Sequence, residues 1–288
     1  MKTMTKRLLA TGFALACSAV WSLDFGQELK KTLQENIQQQ GAAKPGSAPG
    51  NVWSGLAGTS QEDEIAIGRQ ISGNLLGASH LVKDARLQKY VNNVGRWVAS
   101  QSERPDLPWH FGVIESNDIN AFAAPGGYVF VTRGLYRQLQ NEAELAGVLA
   151  HEIGHVIRQH HLKILKQSQL LDLGGKLLAK QIGGNDKAQR LIGSGAEMVA
   201  RSLDNNAEFE YDRIGVVLSA RAGYDAFALP EVLQKIGHFA RDDGSVALLF
   251  KTHPHPDDRL NKLGLAMNDR FDSVKGQSLA SRYYRIKP

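Results

Sequence analysis

Residues 151–155 read His-Glu-Ile-Gly-His, and no other stretch so restricts the folds open to this chain. Side chains four apart lie on one face of an α-helix, so His151 and His155 can offer ring nitrogens to one point only if a helix runs through them. The flanking residues supply that helix. Asn141 precedes Glu142, Ala143 and Glu144, the pattern of an N-cap with an acid three residues on to answer it. Leu145, Val148, Leu149, Val156 and Ile157 then recur at helical spacing, giving a helix whose apolar side can be buried.

Two histidines at this spacing form a metal-ligand pair, and the acid beside the first has a distinct use. Glu152 can take a proton from a metal-bound water and return it to a leaving amine, which is zinc peptidase chemistry. A catalytic zinc also needs a third protein ligand and one open position. The best donor lies in Ala207-Glu208-Phe209-Glu210-Tyr211-Asp212, 53 residues beyond His155 at Glu208 and leading into a helical pattern. Asp212 follows Glu208 by one turn on the same face. It is expected to accept the other ring N–H of a ligand histidine, His151, fixing its tautomer. Glu210 points about 160° from Asp212 and is the weaker ligand candidate. An acidic solvated helix face would explain these charges but not their spacing from the histidine pair.

Together these residues resemble a known family. His-Glu-Ile-Gly-His, the later Glu208-x-Glu210-x-Asp212, the segment Asn120-Ala-Phe-Ala-Ala-Pro-Gly-Gly-Tyr, and Thr252-His-Pro followed by Arg259 are similar to motifs of the gluzincin peptidases related to CAAX prenyl endopeptidase, HtpX and the periplasmic BepA-type proteases. The resemblance covers roughly residues 60 to 265, with the motifs in family order. It implies one zinc per chain, held by His151, His155 and Glu208, with Glu152 as general base and Asp212 behind the ligands. It also implies catalytic parts for His253, near the metal, and for Arg259, the basic residue after the His-Pro turn. One position departs from the family pattern: Tyr211 stands where Ala is usual, which alters the pocket but removes no ligand.

The turn Thr252-His-Pro-His-Pro holds two histidines in stiff, extended backbone. The resemblance favours His253 as a donor to the developing oxyanion, while His255 is expected to face solvent. His160 and His161 follow the helix with no acidic neighbour in sequence and are expected to be solvated. Tyr128-Val129-Phe130-Val131-Thr132 has strand composition after the break at Pro125-Gly126-Gly127. With Asn120, it is expected as an edge strand that takes a polypeptide substrate as an added strand; composition alone also fits an ordinary core strand.

Lys2, Lys6 and Arg7 precede an uncharged stretch from Leu8 to Leu23, the layout of a secretory signal over residues 1–22. Two outcomes are open at Cys17: cleavage after Ala14-Leu15-Ala16, or a lipoprotein signal in which Cys17 is acylated. Cys17 is the only cysteine, so no intramolecular disulfide and no thiolate metal site can form. Residues 23–51 read as a charged helix-like piece and a Gly/Pro/Ala linker, and 52–288 as one peptidase domain. Helical patterns near 61–77, 84–101, 141–159, 163–202, 207–222 and 225–240, against strands near 109–115 and 127–132, give an α+β, mostly helical, zincin-like fold with a small sheet. Charges at Lys163, Lys166, Asp172, Lys176, Lys180, Asp186, Lys187 and Arg190 exclude a membrane span between 162 and 201. That segment reads either as a packed helical hairpin or as an amphipathic lid hinged at Gly174-Gly175 and Gly183-Gly184.

The chain carries +5; without Lys2, Lys6 and Arg7 the balance is +2, so nucleic-acid binding gains no support. The resulting expectation is a periplasmic zinc metalloendopeptidase acting on unfolded or misassembled envelope polypeptides. Outer-membrane or envelope assembly factors are its expected partners, and Cys17 lipidation its only membrane attachment, to the outer membrane. The alternative is a zinc-containing chaperone or assembly scaffold whose proteolysis is latent or absent.

Overall fold

The computed structural model describes residues 60–163 and 207–286, which fall within one compact unit, Lys44–Pro288. The expected signal and Cys17, the 23–51 segment and nearly all of 162–201 lie outside these residues. The first helix, α1 (Gln61–Ala78), starts where Ser60 accepts a hydrogen bond from the Asp63 backbone, and Glu62, Asp63 and Glu64 crowd its first turn, where acids favour the helix dipole. Helix α2 (Ala85–Ala99) is capped by Asp84, which accepts from the backbones of Arg86 and Leu87. Its apolar stripe of Leu87, Val91, Val94 and Val98 is buried. No helix among the described residues is long and apolar enough to cross a membrane.

Three strands follow: β1 (His110–Ile114), β2 (Ala121–Ala124) and β3 (Tyr128–Thr132), in spatial order β1-β3-β2. β1 runs parallel to β3, with Val113 opposite Val131, and β2 runs antiparallel to it, with Phe122 opposite Phe130. This corrects the edge-strand expectation. β3 is the central strand, its backbone hydrogen-bonded on both sides and Val129, Phe130 and Val131 buried, so Tyr128, Val129, Phe130 and Val131 cannot take an added strand. The expectation failed because strand composition marks burial on a pleated surface as readily as an edge. The sequence reading passed over β2 because Ala-Phe-Ala-Ala lacks the β-branched residues that announce strands. Gly126 links β2 to β3 at φ +73, where a Cβ would stand 2.6 Å from the Ile65 Cα, so glycine is required there.

The buried helix α4 (Glu142–Ile157), reached through α3 (Arg133–Gln138), lies against α2 and the sheet. Asn141 caps it as expected, accepting from Glu144 N at 2.9 Å. Glu144 replies to the Gln140 backbone and the Asn141 side-chain amide, and takes an ion pair from Lys235 at 2.7 Å. A further helix, α5 (residues 207–221), crosses α4 closely. Cβ atoms on Gly154 and Gly215 would lie 3.3 Å from Tyr211 Cβ and 3.2 Å from His151 N respectively. Glu208, Asp212 and Gly215 share one face of α5, so the glycine lets both acids approach α4. Helices α6 (Ala228–Gly237), α7 (Leu249–Thr252) and α8 (Pro256–Met267) complete the described set, the last beginning with Pro256 where a proline fits without losing a hydrogen bond. The result is α+β, mostly helical.

Glu64 joins parts distant in sequence. Fully buried, it accepts from Arg104 Nη1 and Nη2 (2.9 and 2.8 Å), from Gly126 N (3.0 Å) and from Gln159 Nε2 (2.9 Å). It thereby ties α1 to the β2–β3 turn and to the end of α4. Glu64→Ala should lower unfolding free energy by roughly 3 kcal/mol, because it leaves these donors without their carboxylate. That corresponds to a fall in melting temperature of about 6–12 °C, against little change for the exposed Glu62→Ala, as read by thermal denaturation.

Candidate metal centre and active site

Helix α4 carries His151, Glu152 and His155 inward, each 4% exposed, and α5 brings Glu208 and Asp212, 0% and 1% exposed, to meet them. His151 Nε2 and His155 Nε2 stand 3.1 Å apart. Glu208 faces them, its oxygens 3.5 Å from His151 Nε2 and 3.3 Å from His155 Nε2. His253, in extended backbone at the end of α7, places its Nε2 3.6 Å from Glu208. The four ligand atoms of His151, His155, Glu208 and His253 lie within 4.8 Å of one another.

Behind this group His151 Nδ1 lies 3.0 Å from Asp212 Oδ1. Arg259 donates to Asp212 through Nη2 (2.6 Å) and Nε (2.9 Å), and its Nη2 is 3.3 Å from His151 Nδ1. A carboxylate on Nδ1 orients His151 with Nε2 toward the cluster. Burial alone would raise the Asp212 carboxyl, but the Arg259 charge outweighs it and holds the group well below the usual range. His151 is raised to about 9: burial and Arg259 oppose its charged form, and the neighbouring Asp212 and Glu208 carboxylates prevail. Burial drives His155 far below its ordinary value, to the neutral form, helped by the histidines around it. Glu152 is pushed up to about 7 by burial, with the Glu208 charge adding to the shift. Glu208 sits at about 2 because its histidine neighbours, His253 first, overcome its own burial.

The chemistry of this donor set fits a divalent cation. Neither oxygen of the fully buried Glu208 accepts a hydrogen bond, a condition that a buried carboxylate sustains only beside a cation. Arg259 is taken up by Asp212, so the charge of Glu208 has no guanidinium partner of its own. Two imidazoles and a carboxylate suit zinc among the available ions.

Each sequence-based candidate has a definite place. Arg259 is 4% exposed and grips Asp212. Asn120, fully buried, fixes the entry to β2: its backbone exchanges bonds with Thr132 and its Oδ1 accepts from Ala121 N at 3.0 Å. Glu210 points away from the cluster and pairs with Arg158 at 2.7 Å. His255 is no free solvent histidine; it caps α8, with Nδ1 3.4 Å from Asp257 N. The solvated reading of His160 fails outright, since its ring is buried with Nδ1 2.8 Å from His155 Nδ1. His161 joins the same group and is lowered to about 3, by burial first and then by its neighbour His160.

Sequence reasoning also missed the apolar pocket of about 40 Å³ beside Glu152 and His253. It is walled by Leu229, Val232, Leu233 and Ile236 of α6 together with Val148 and Leu249. The only sequence signal for it is the helical spacing of those α6 side chains.

The model of Peptidase family M48 matches residues 85–265. The beta-barrel assembly-enhancing protease of Escherichia coli (strain K12) is 33% identical over 219 residues, covering 70% of this chain and 45% of that protein. The protein of the same name in Yersinia pestis is 32% identical over 208 residues, covering 69% and 43%. The mitochondrial metalloendopeptidase OMA1 of Arabidopsis thaliana is 26% identical over 175 residues, covering 60% and 35%. The chain spans less than half the length of these relatives.

Glu208→Ala should remove bound zinc from the purified protein. Asp212→Asn, which keeps the shape but not the charge behind His151, should weaken zinc binding by roughly 10–100-fold. Metal analysis and competition with a chromophoric chelator read the two results.

Proposed function

The chain belongs to peptidase family M48, and from that premise we propose that it is a periplasmic zinc metalloendopeptidase that cuts unfolded or misassembled envelope polypeptides. The observation that carries the reading is the convergence of His151, His155 and Glu208 beside Glu152, with both Glu208 oxygens unbonded. The envelope assignment draws on the signal-like residues 1–22 and on relatives named as beta-barrel assembly-enhancing proteases. A peptidase domain over residues 52–288, following a leader and a linker, is part of the same proposal.

His151, His155 and Glu208 are the zinc ligands in this reading. Zinc bound there would acidify a water and polarise a substrate carbonyl. Glu152, raised to about 7, is suited to accept the water's proton near neutral pH and to hand it to the departing nitrogen. Asp212 holds His151 by its Nδ1, and Arg259 holds Asp212, so Arg259 positions rather than reacts. The apolar pocket beside Glu152 would receive an aliphatic substrate side chain next to the scissile bond.

His253 admits two parts with opposite consequences. As a ring N–H donor it would stabilise negative charge on the carbonyl oxygen. Its Nε2 also stands among the ligand atoms, and as a fourth ligand it would close the position that water needs, giving the latent state of the scaffold reading.

Glu152→Gln should keep one zinc per chain and reduce cleavage of unfolded casein by about 10²–10⁴-fold; undiminished cleavage would remove Glu152 from the mechanism. His253→Ala should lower turnover by roughly 10²–10³-fold if the ring is an oxyanion donor. A rise in turnover, measured on the same casein, would assign it as the closing ligand.

A further inference from the structure

Helix α4 ends at Ile157, and the residues after it do not continue its winding. On an unbroken helix His160 would lie five positions, about 140° around the axis, from His155, and the two rings could not meet. Gln159 breaks the path by adopting φ +53, a left-handed conformation unfavourable to a residue with a Cβ. The turn is held from several sides. Gln159 Nε2 donates to Glu64 at 2.9 Å, Gln159 N donates to Val156 O at 3.0 Å, and Arg158 is bound to Glu103 and Glu210. The redirected chain carries His160 Nδ1 to 2.8 Å from His155 Nδ1, with the buried Tyr211 ring against both, its centroid 4.2 Å from that of His155 and 5.2 Å from that of His160.

Two imidazole nitrogens at this distance share one proton. His155 Nε2 faces His151 and Glu208, and a neutral ring that offers Nε2 as a ligand carries its proton on Nδ1. Buried, that N–H requires an acceptor, and His160 Nδ1 stands at hydrogen-bond distance. Resting on the metal-centre reading above, we propose that His160 is a positioning residue: protonated on Nε2, it accepts the His155 Nδ1–H, fixes that ring's tautomer and orientation, and strengthens Nε2 as a donor. The two ligand histidines are then held by unlike acceptors, His151 by a charged carboxylate and His155 by a neutral imidazole. The left-handed turn at Gln159 is what makes the second arrangement possible.

The test is zinc affinity by chelator competition, together with the visible spectrum of the cobalt(II) form. It uses the full chain as wild type, His160→Asn, His160→Gln, His160→Phe and His161→Ala. Asn places its amide oxygen where Nδ1 stands and should stay close to wild type, whereas Gln and Phe leave His155 without its acceptor. Those two should bind zinc roughly 10–100-fold more weakly, with a displaced cobalt band, and His161→Ala should match wild type. The Gln variant carries the comparison if the Phe variant does not fold. Wild-type affinity in His160→Gln and His160→Phe, or affinity in His160→Asn as weak as theirs, would overturn the proposal. So would a second zinc equivalent lost in both the His160 and His161 variants, which would mark a three-histidine metal site in place of the hydrogen bond. Wild-type protein that binds no zinc would strike the metal-centre reading itself.

Discussion

A fully buried carboxylate with neither oxygen hydrogen-bonded is the constraint around which the described structure is arranged. Glu208 lies where α4 and α5 cross, and an isolated ion there would be opposed by several kcal/mol of desolvation after relaxation. Among the described residues imidazoles, not a lysine or a guanidinium, face Glu208 at 3.3–3.6 Å. Arg259, the guanidinium at hand, binds Asp212 through two nitrogens, and Asp212 spends its remaining capacity on His151 Nδ1. The negative charge that is left points at the Nε2 atoms of His151 and His155. A site so composed favours a divalent ion over a proton, because one ion can meet several donors at once.

That arrangement depends on backbone close approach as much as on charge. Gly215 follows Glu208 and Asp212 on one face of α5, and Gly154 lies on α4 opposite Tyr211. Side chains at either glycine would hold the helices apart and move both acids away from the histidines. The far end of α4 is set by a different device. Glu64, on α1, holds Gln159 in a conformation that carries an intrinsic penalty of roughly 1–2 kcal/mol for a residue with a Cβ, and the compensating bond is one arm of a carboxylate shared with Arg104 and Gly126. An acid 95 residues before Gln159 in sequence therefore takes part in shaping the surroundings of His155.

Much of the fold was legible because local physics and tertiary packing agree along this chain. The Asn141 cap, the apolar spacing of α4 and the stripe of α2 are decided within a few residues of themselves, and each stands where periodicity places it. Glu208 and Asp212 were legible for a similar reason, since only their spacing on a helix had to be read. The misreadings share the opposite property. Whether Tyr128–Thr132 is central or marginal depends on where β1 and β2 dock, a nonlocal pairing with no trace in the strand's own composition. His160 was read as solvated because it follows the helix with no acidic neighbour in sequence, and the left-handed residue that turns it toward His155 is a glutamine, not the glycine or asparagine that marks such positions in sequence.

Tyr211 stands where the resemblance read from the sequence implies an Ala, and its ring lies against both His155 and His160, only 2% exposed. An alanine would leave the space beside those two imidazoles open to water, which would compete for the Nδ1 hydrogen bond. The tyrosine ring covers the pair, and a hydrogen bond shielded from water is stronger and more directional than one that is wetted. The residue that departs from the family pattern thus lies beside the contact that the sequence concealed, and shielding the His155–His160 pair gives the larger side chain a physical reason to be there.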